Sequence, residues 1–257
     1  IDLHTHYDAQ IQWDPYASLS GWFGVTSHTI GECGFGFAPT RPEDRDLNMR
    51  MMNRIEAIPL ESMRKGMRWD WETFPEYLDS LDRQGLGVNV GALVPFSPLR
   101  GYVLGMMPSR ERTSVTDAEL NQMKQIFYEG MKAGGFGFSL DKNMEDRTED
   151  GGLLPSVVAS DREFHGLAEV LSQFGVGHVG LTLGFGLTAA ERTAAREMVA
   201  QTMRLSGRPF HLLDVQQGED PAWEQMCRAE GLPLVFQKTA PITGTEFKLS
   251  EYNMYDI

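Results

Sequence analysis

Two histidines one residue apart, His4 and His6, follow an apolar chain start, Ile1-Asp2-Leu3. Along an extended segment, residues i and i+2 project to the same side, so two imidazoles at this spacing converge on one point. A divalent metal, zinc by preference, could be bound by both there and present a water to a substrate. Such a metal lowers the pKa of its water to about 7 and polarises a carbonyl, which is what amide hydrolysis requires. An isolated His-x-His is commonest as a pair of ordinary surface histidines. Here Asp2 and Asp8 flank the pair and offer carboxylates that would orient the rings.

The elements that must position this pair are legible in outline. Apolar, glycine-bounded runs predict strands over Ile1–His4, Gly24–Ile30, Gly87–Pro95, Gly135–Leu140, Gly177–Leu183, Pro209–Val215 and Pro233–Gln237. Amphipathic stretches predict helices over Trp71–Arg83, Thr116–Ala133, Ser160–Phe174, Ala189–Leu205 and Pro221–Ala229. Thr116 and Glu119 have the spacing of a capping box, and Asp161 and Glu163 load the first turn of the next helix with negative charge. Strands alternating with helices predict a parallel α/β sheet. The fold class expected is a (β/α)8 TIM-type barrel, in which the ends of the strands carry the site. An open doubly wound sheet is the rival, but no Gly-x-Gly-x-x-Gly follows the first strand. Residues 39–71, rich in Arg, Met, Pro and acids, read as an insertion after the second strand, on the active-site face.

The bulk composition narrows the partners. At 257 residues and 41% hydrophobic content, the chain can bury one substantial core, though a barrel cut short at one end fits the same length. Acids outnumber bases 36 to 23, for a net charge of −13, which argues against nucleic acid and anionic membranes and for a small-molecule substrate. Two distant cysteines, Cys33 and Cys227, make no disulfide framework, and a reducing, cytoplasmic setting fits. No run approaches the ~20 apolar residues of a membrane helix.

The phrase Ile1-Asp2-Leu3-His4-Thr5-His6-Tyr7-Asp8 closely resembles the first-strand signature of the amidohydrolase superfamily. Gly31-Glu32-Cys33-Gly34-Phe35-Gly36-Phe37-Ala38-Pro39 resembles the second-strand region of N-acyl-D-amino-acid deacylases, members of amidohydrolase family 3. Tyr7-Asp8-Ala9-Gln10 with Trp13-Asp14-Pro15, and Trp69-Asp70-Trp71-Glu72-Thr73-Phe74-Pro75-Glu76-Tyr77-Leu78, match the same group. The likeness runs from Ile1 to at least Ser139 and weakens afterwards. It implies a zinc-dependent hydrolase of non-peptide C–N bonds, with one or two divalent ions, acting on an N-acyl amino acid or a related amide.

In the deacylases the cysteine of this motif is a zinc ligand, which carries over to Cys33. Those enzymes also close the fifth and sixth strands with histidines. The corresponding stretches here read Gly180-Leu181-Thr182-Leu183 and Leu212-Leu213-Asp214-Val215. The match sets Asp214 at the sixth-strand ligand position and His211 on the opposite face of that strand. His178 begins the fifth strand, where a structural role is expected. A single ion held by His4, His6 and a later carboxylate is the simpler expectation. The general base of the family, an Asp at the end of the eighth strand, is expected beyond Ile257, because Asp256 lies in a segment unlike that motif. The polypeptide thus reads as the front part of a barrel without its flanking β-sandwich, and inactive by itself. Hydrolysis of N-acyl-D-amino acids by this polypeptide alone would overturn that reading.

Among Arg41, Arg45 and Arg50 in the loop after Cys33, one guanidinium could hold a substrate carboxylate bidentately, although exposed arginines are more often solvated loop charges. Arg41 is the candidate here. Arg100 follows Leu99 as in a similar Leu-Arg pair of the deacylases and is the other substrate-binding candidate, expected to support the pocket. Met49, Met51 and Met52 read as core filling, and Trp69 and Trp71 as anchors of the insertion. Two alternatives stay open. One is a cyclic-amide hydrolase of the dihydroorotase or hydantoinase kind, which typically uses a carboxylated lysine, whereas no lysine precedes Lys65. The other is a non-catalytic barrel used for binding or assembly, and a homo-oligomer is compatible with either.

Overall fold

The structure, a computed structural model, describes residues 1–183, 187–213 and 218–237. Its strands are β1 (Ser27–Ile30), β2 (Asn89–Ala92), β3 (Val94–Pro95), β4 (Gly137–Asp141), β5 (His178–Thr182), β6 (Phe210–Leu213) and β7 (Leu234–Phe236). β1 pairs with β2, and β3 through β7 form a five-stranded sheet in sequence order. Every pair is parallel. The Leu93 amide donates to the Ile30 carbonyl at 2.9 Å and the Phe136 amide to that of Ala92 at 2.9 Å, so the two sheets are continuous through the backbone around β2 and β3.

Parallel neighbours cannot be joined by a tight turn and need a crossover. Helices supply it. Arg45–Glu56, Leu60–Gly66 and Phe74–Gln84 lie between β1 and β2; Phe96–Leu104 and Asp117–Lys132 between β3 and β4; Asp161–Leu171 between β4 and β5; Ala189–Ser206 between β5 and β6; Pro221–Ala229 between β6 and β7. The expected mixed α/β architecture with a parallel sheet is therefore observed. One element differs. The predicted first strand is reduced to an isolated parallel bridge between Asp2 and His28, because a bend at Leu3 interrupts the ladder. Backbone bonds from Asp2 to Ser27, Thr29 to Asp2 and Thr5 to Thr29 still hold the segment against β1.

Strand alternation separates two chemistries. Phe138 and Leu140 of β4, Val179 and Leu181 of β5, and Phe210 and Leu212 of β6 are buried in the main hydrophobic cluster with helix residues Phe127, Phe164, Leu167 and Met203. The alternate positions, Ser139 and Asp141, then His178 and Thr182, then His211, are polar, and all are buried. Removing so many polar groups from water requires partners for them, and this face is where the site lies.

The helix signals read from the sequence hold. Thr116 and Glu119 form the capping box, with the Glu119 amide donating to Thr116 Oγ1 at 3.3 Å and the Thr116 amide to Glu119 Oε2 at 2.8 Å. Trp71 anchors the segment after β1, donating its Nε1–H to the Phe37 carbonyl at 2.8 Å, with Trp69 packed on it. Met49, Met51 and Met52 are core residues. Among the described residues, no helix is long and apolar enough to cross a membrane.

Candidate metal centre

A tight turn directly after β1 shapes the backbone around Cys33. Cys33 itself adopts a positive φ of 52°, a conformation that a residue with a side chain occupies at a cost of order 1 kcal/mol or more and that clusters at functional sites. Gly31 makes the turn possible, because a Cβ there would meet the Leu93 carbonyl oxygen at 2.3 Å. The result places the Cys33 thiol among His4, His6 and Thr182. His4 Nε2 stands 3.0 Å from Cys33 Sγ, and the Thr182 hydroxyl donates to the same sulfur at 3.0 Å. The His4 and His6 rings meet edge to face with centroids 5.3 Å apart.

One donor atom from each of His4, His6 and Cys33 lies within 4.8 Å of the others. Burial drives the His6 pKa down to about 3, with nearby His4 adding to the effect, so this imidazole is neutral and its lone pair is free. His6 Nδ1 is buried and has no hydrogen-bond partner. Burial pushes the Cys33 thiol well up, reinforced by the charges of Glu56 and Asp141 and opposed by the Thr182 hydroxyl, so the sulfur is protonated until a cation replaces the proton. Two imidazoles and a thiol gathered around a point, with one nitrogen of His6 left without a partner, fit a zinc ion.

The rings are held by residues the sequence reading did not single out. His4 Nδ1 lies 2.8 Å from Gln237 Oε1, directly after β7. An amide oxygen can only accept, so Nδ1 carries the proton and Nε2 presents its lone pair toward Cys33. Glu32 adds a carboxylate 3.8 Å from the same Nδ1, and burial pushes its carboxyl up to about 7. Glu56 ends the helix Arg45–Glu56 and stands 3.4 Å from His6 Nε2. Asp2 and Asp8, expected to orient the imidazoles, do otherwise: Asp2 accepts the His4 backbone amide at 3.2 Å, and Asp8 is buried against backbone amides with its carboxyl pushed up to about 8 by desolvation.

These groups open onto a cavity of about 740 Å³ lined by His4, His6, Cys33, Glu56, Asn143 and Asp146, among others. That volume suits a small organic ligand. Arg41 lies outside that lining, its guanidinium 5.4 Å above the Tyr102 ring. Arg100 is corrected from substrate contact to scaffold. It donates through Nε to Glu163 at 2.6 Å and through its terminal nitrogens to Glu163 and the carbonyls of Ser109 and Arg112, and its complete burial keeps it from a substrate. His178 starts β5 as expected. His211 is corrected too: it does not turn to the opposite strand face but stacks on His178 at 4.2 Å, on the polar side of the sheet. His178 in turn stands 3.9 Å from Glu32. Asp214 and Asp256 lie outside the described residues.

No family model matches the chain. An uncharacterized protein of Mycobacterium tuberculosis is 36% identical over 183 residues, which are 68% of this chain and 29% of that protein. D-aminoacylase of Alcaligenes xylosoxydans xylosoxydans is 31% identical over 141 residues, 54% of this chain and 26% of the relative. N-acyl-D-aspartate deacylase of the same organism is 30% identical over 139 residues. The chain thus spans less than a third of the curated relatives it matches. A solved structure of D-aminoacylase, described for its binuclear metal centre, superposes with a TM-score of 0.67 at 20% identity, covering 91% of this chain and 46% of that one. The chain shares its fold with D-aminoacylase. The structural superposition covers a larger share of this chain than these sequence matches do, 91% against 68% and 54%.

Proposed function

We propose that these residues form the metal-binding part of an amidohydrolase, a zinc-dependent hydrolase of non-peptide C–N bonds most like an N-acyl-D-amino-acid deacylase. The observation that carries the reading is the His4, His6 and Cys33 donor trio at the mouth of a ligand-sized cavity. Similarity to D-aminoacylase and N-acyl-D-aspartate deacylase supports it. We take β1 to β7 and the segment before them to be strands of a TIM-type barrel.

A bound zinc supplies Lewis-acid activation of water and of the amide carbonyl. His4, His6 and Cys33 would hold it. Gln237 fixes the His4 tautomer, and Thr182 orients the sulfur. The cyclic-amide alternative relies on a carboxylated lysine. Lys142, directly after β4, turns its Nζ instead to the carbonyls of Val157 and Ala159 at 3.2 and 2.7 Å, away from the pocket lining.

The test is hydrolysis of N-acyl-D-amino acids and their L-isomers, read as amino-acid release, and of cyclic amides, read as ring opening, by the zinc-loaded full-length protein that carries these residues. His4- and Cys33-dependent turnover of the linear N-acyl-D-amino acids is expected. Turnover of cyclic amides alone would replace the proposal with the dihydroorotase-like reading, and zinc binding without turnover of any amide would favour a binding barrel.

A further inference from the structure

A second cavity, of about 300 Å³, shares two walls with the one at the metal centre. One wall is the helix Arg45–Glu56, which gives Leu47, Arg50 and Met51 to this cavity and Ile55 and Glu56 to the other. The second wall is the loop after β4, which gives Thr148, Glu149 and Asp150 here and Asn143 and Asp146 there. Leu47, Met51 and Ile55 are spaced i, i+4, i+8, so they form one apolar stripe along the helix, with about 6 Å of rise from each to the next. Met106, from the short helix Met106–Ser109, lines the second cavity as well. The stripe therefore leads from the metal centre to a chamber lined by two buried methionines, Met51 and Met106, whose unbranched side chains adapt to a guest.

Paired charges hold the loop side of this chamber. The loop folds on itself through an antiparallel bridge between Arg147 and Leu153. Arg50 donates to Glu149 at 2.7 Å, and Arg110 donates to Thr148 Oγ1 at 2.6 Å and to Asp150, in a position where a side chain on Gly152 would collide with its guanidinium. Both guanidinia are engaged by carboxylates of the loop itself, so the chamber suits an uncharged chain and not an anion. The approach from the metal centre separates the two halves of an N-acyl amino acid. Glu56, next to Ile55, and Asp146, two residues before Thr148, line the metal-centre side of the shared walls, near enough for their charges to interact. The amino-acid half carries a carboxylate beside the amide nitrogen and is repelled there, whereas the acyl half is neutral.

We propose that this chamber is the subsite for the acyl group, and that the substrate is an amide with an unbranched acyl chain long enough to pass one turn of the helix from Ile55 to Met51. The assignment rests on the hydrolase reading above and adds to it the class of acyl group.

Two measurements on the full-length protein test it, one of them independent of turnover. With carbon-13 in the methionine methyl groups, octanol is expected to shift the Met51 and Met106 signals and ethanol to leave them in place. In Leu47→Trp, which fills the chamber, the octanol shifts are expected to vanish. With zinc bound, kcat/KM for N-octanoyl-D-alanine is expected to exceed that for N-acetyl-D-alanine roughly tenfold or more, the scale on which an apolar pocket discriminates chain length, while N-acetyl-D-norleucine gains no such advantage. The wild-type readouts need no variant to fold. Met51 and Met106 signals unmoved by octanol, equal rates for the octanoyl and acetyl substrates, or a preference that follows the amino-acid side chain instead of the acyl group would each overturn the assignment and leave the metal centre standing. Absence of turnover of any amide overturns the hydrolase reading and the acyl assignment with it, even where octanol binds.

Discussion

Two buried polar clusters in this molecule look alike in composition and differ in how fully their valences are used. Around Arg100 and Glu163, both inaccessible to solvent, the guanidinium is bonded to the carboxylate and to two carbonyls, and Glu163 also accepts the Ser160 amide and hydroxyl at 3.0 Å, capping the helix Asp161–Leu171. Around His4, His6 and Cys33 the opposite holds: His6 Nδ1, Asp8 Oδ2, Glu32 Oε1, His178 Nε2 and His211 Nδ1 are buried without hydrogen-bond partners. Satisfied buried charge is scaffold. Buried donors and acceptors left open beside three potential metal donors suit a place that takes up a ligand, because each unmet group disfavours the fold by about 1–3 kcal/mol.

That contrast can be broken by mutation. The largest effect expected is in the scaffold cluster. Glu163→Ala strands a buried guanidinium and removes a helix cap, so chemical denaturation should show a loss of about 3–5 kcal/mol, with zinc affinity under native conditions unchanged. A loss of zinc affinity without a loss of stability would reverse the roles assigned to the two regions. In the pocket the expected pattern inverts. Gln237→Ala frees the His4 ring to rotate, and chelator competition should show zinc affinity lowered roughly 10–100-fold, as for other groups that orient a ligand, while the denaturation midpoint hardly moves.

A smaller effect sharpens the comparison through pH. Burial lowers the pKa of His178 and His211 to about 4 each, with the neighbouring imidazoles adding to the shift at His211. The unfolded chain binds these protons near the ordinary pKa of 6.5, so the stability the neutral pair contributes is complete above that pH and is lost as pH falls through about 4. The contribution of this pair to stability measured by denaturation should therefore fall from pH 6.5 to 4, by a few kcal/mol on the order set by shifts of this size, against an opposite contribution from the raised carboxyls of Asp8 and Glu32. His211→Gln should flatten the slope. A slope untouched by that change would mean the pair is protonated in the folded state.

How far the sequence reached depends on which forces left a local signature. Strand and helix periods, the Thr116 capping box and the His-x-His spacing are local, so the parallel α/β order and the convergence of His4 on His6 could be read directly. Glu56 and Gln237 could not. The first lies at the end of a helix inside a segment that reads only as an insertion, and the second meets His4 across 233 positions. Gln237 did leave one usable trace, as the polar residue ending the last predicted strand, which is where barrel chemistry gathers. Arg100 misled because a Leu-Arg pair carries no information about burial. His211 misled because an ungapped match judged its strand face from Asp214, whereas its stacking partner is on β5.

One ion bound by His4, His6 and Cys33 underlies every role proposed for the pocket, and the most direct test of it is the zinc content of the purified, folded protein after dialysis against trace metal. One zinc per wild-type molecule, lost in both His4→Ala and Cys33→Ala while circular dichroism shows the fold retained, is the predicted result. A folded wild-type protein that binds no zinc, or stoichiometric zinc that survives both substitutions, would contradict it.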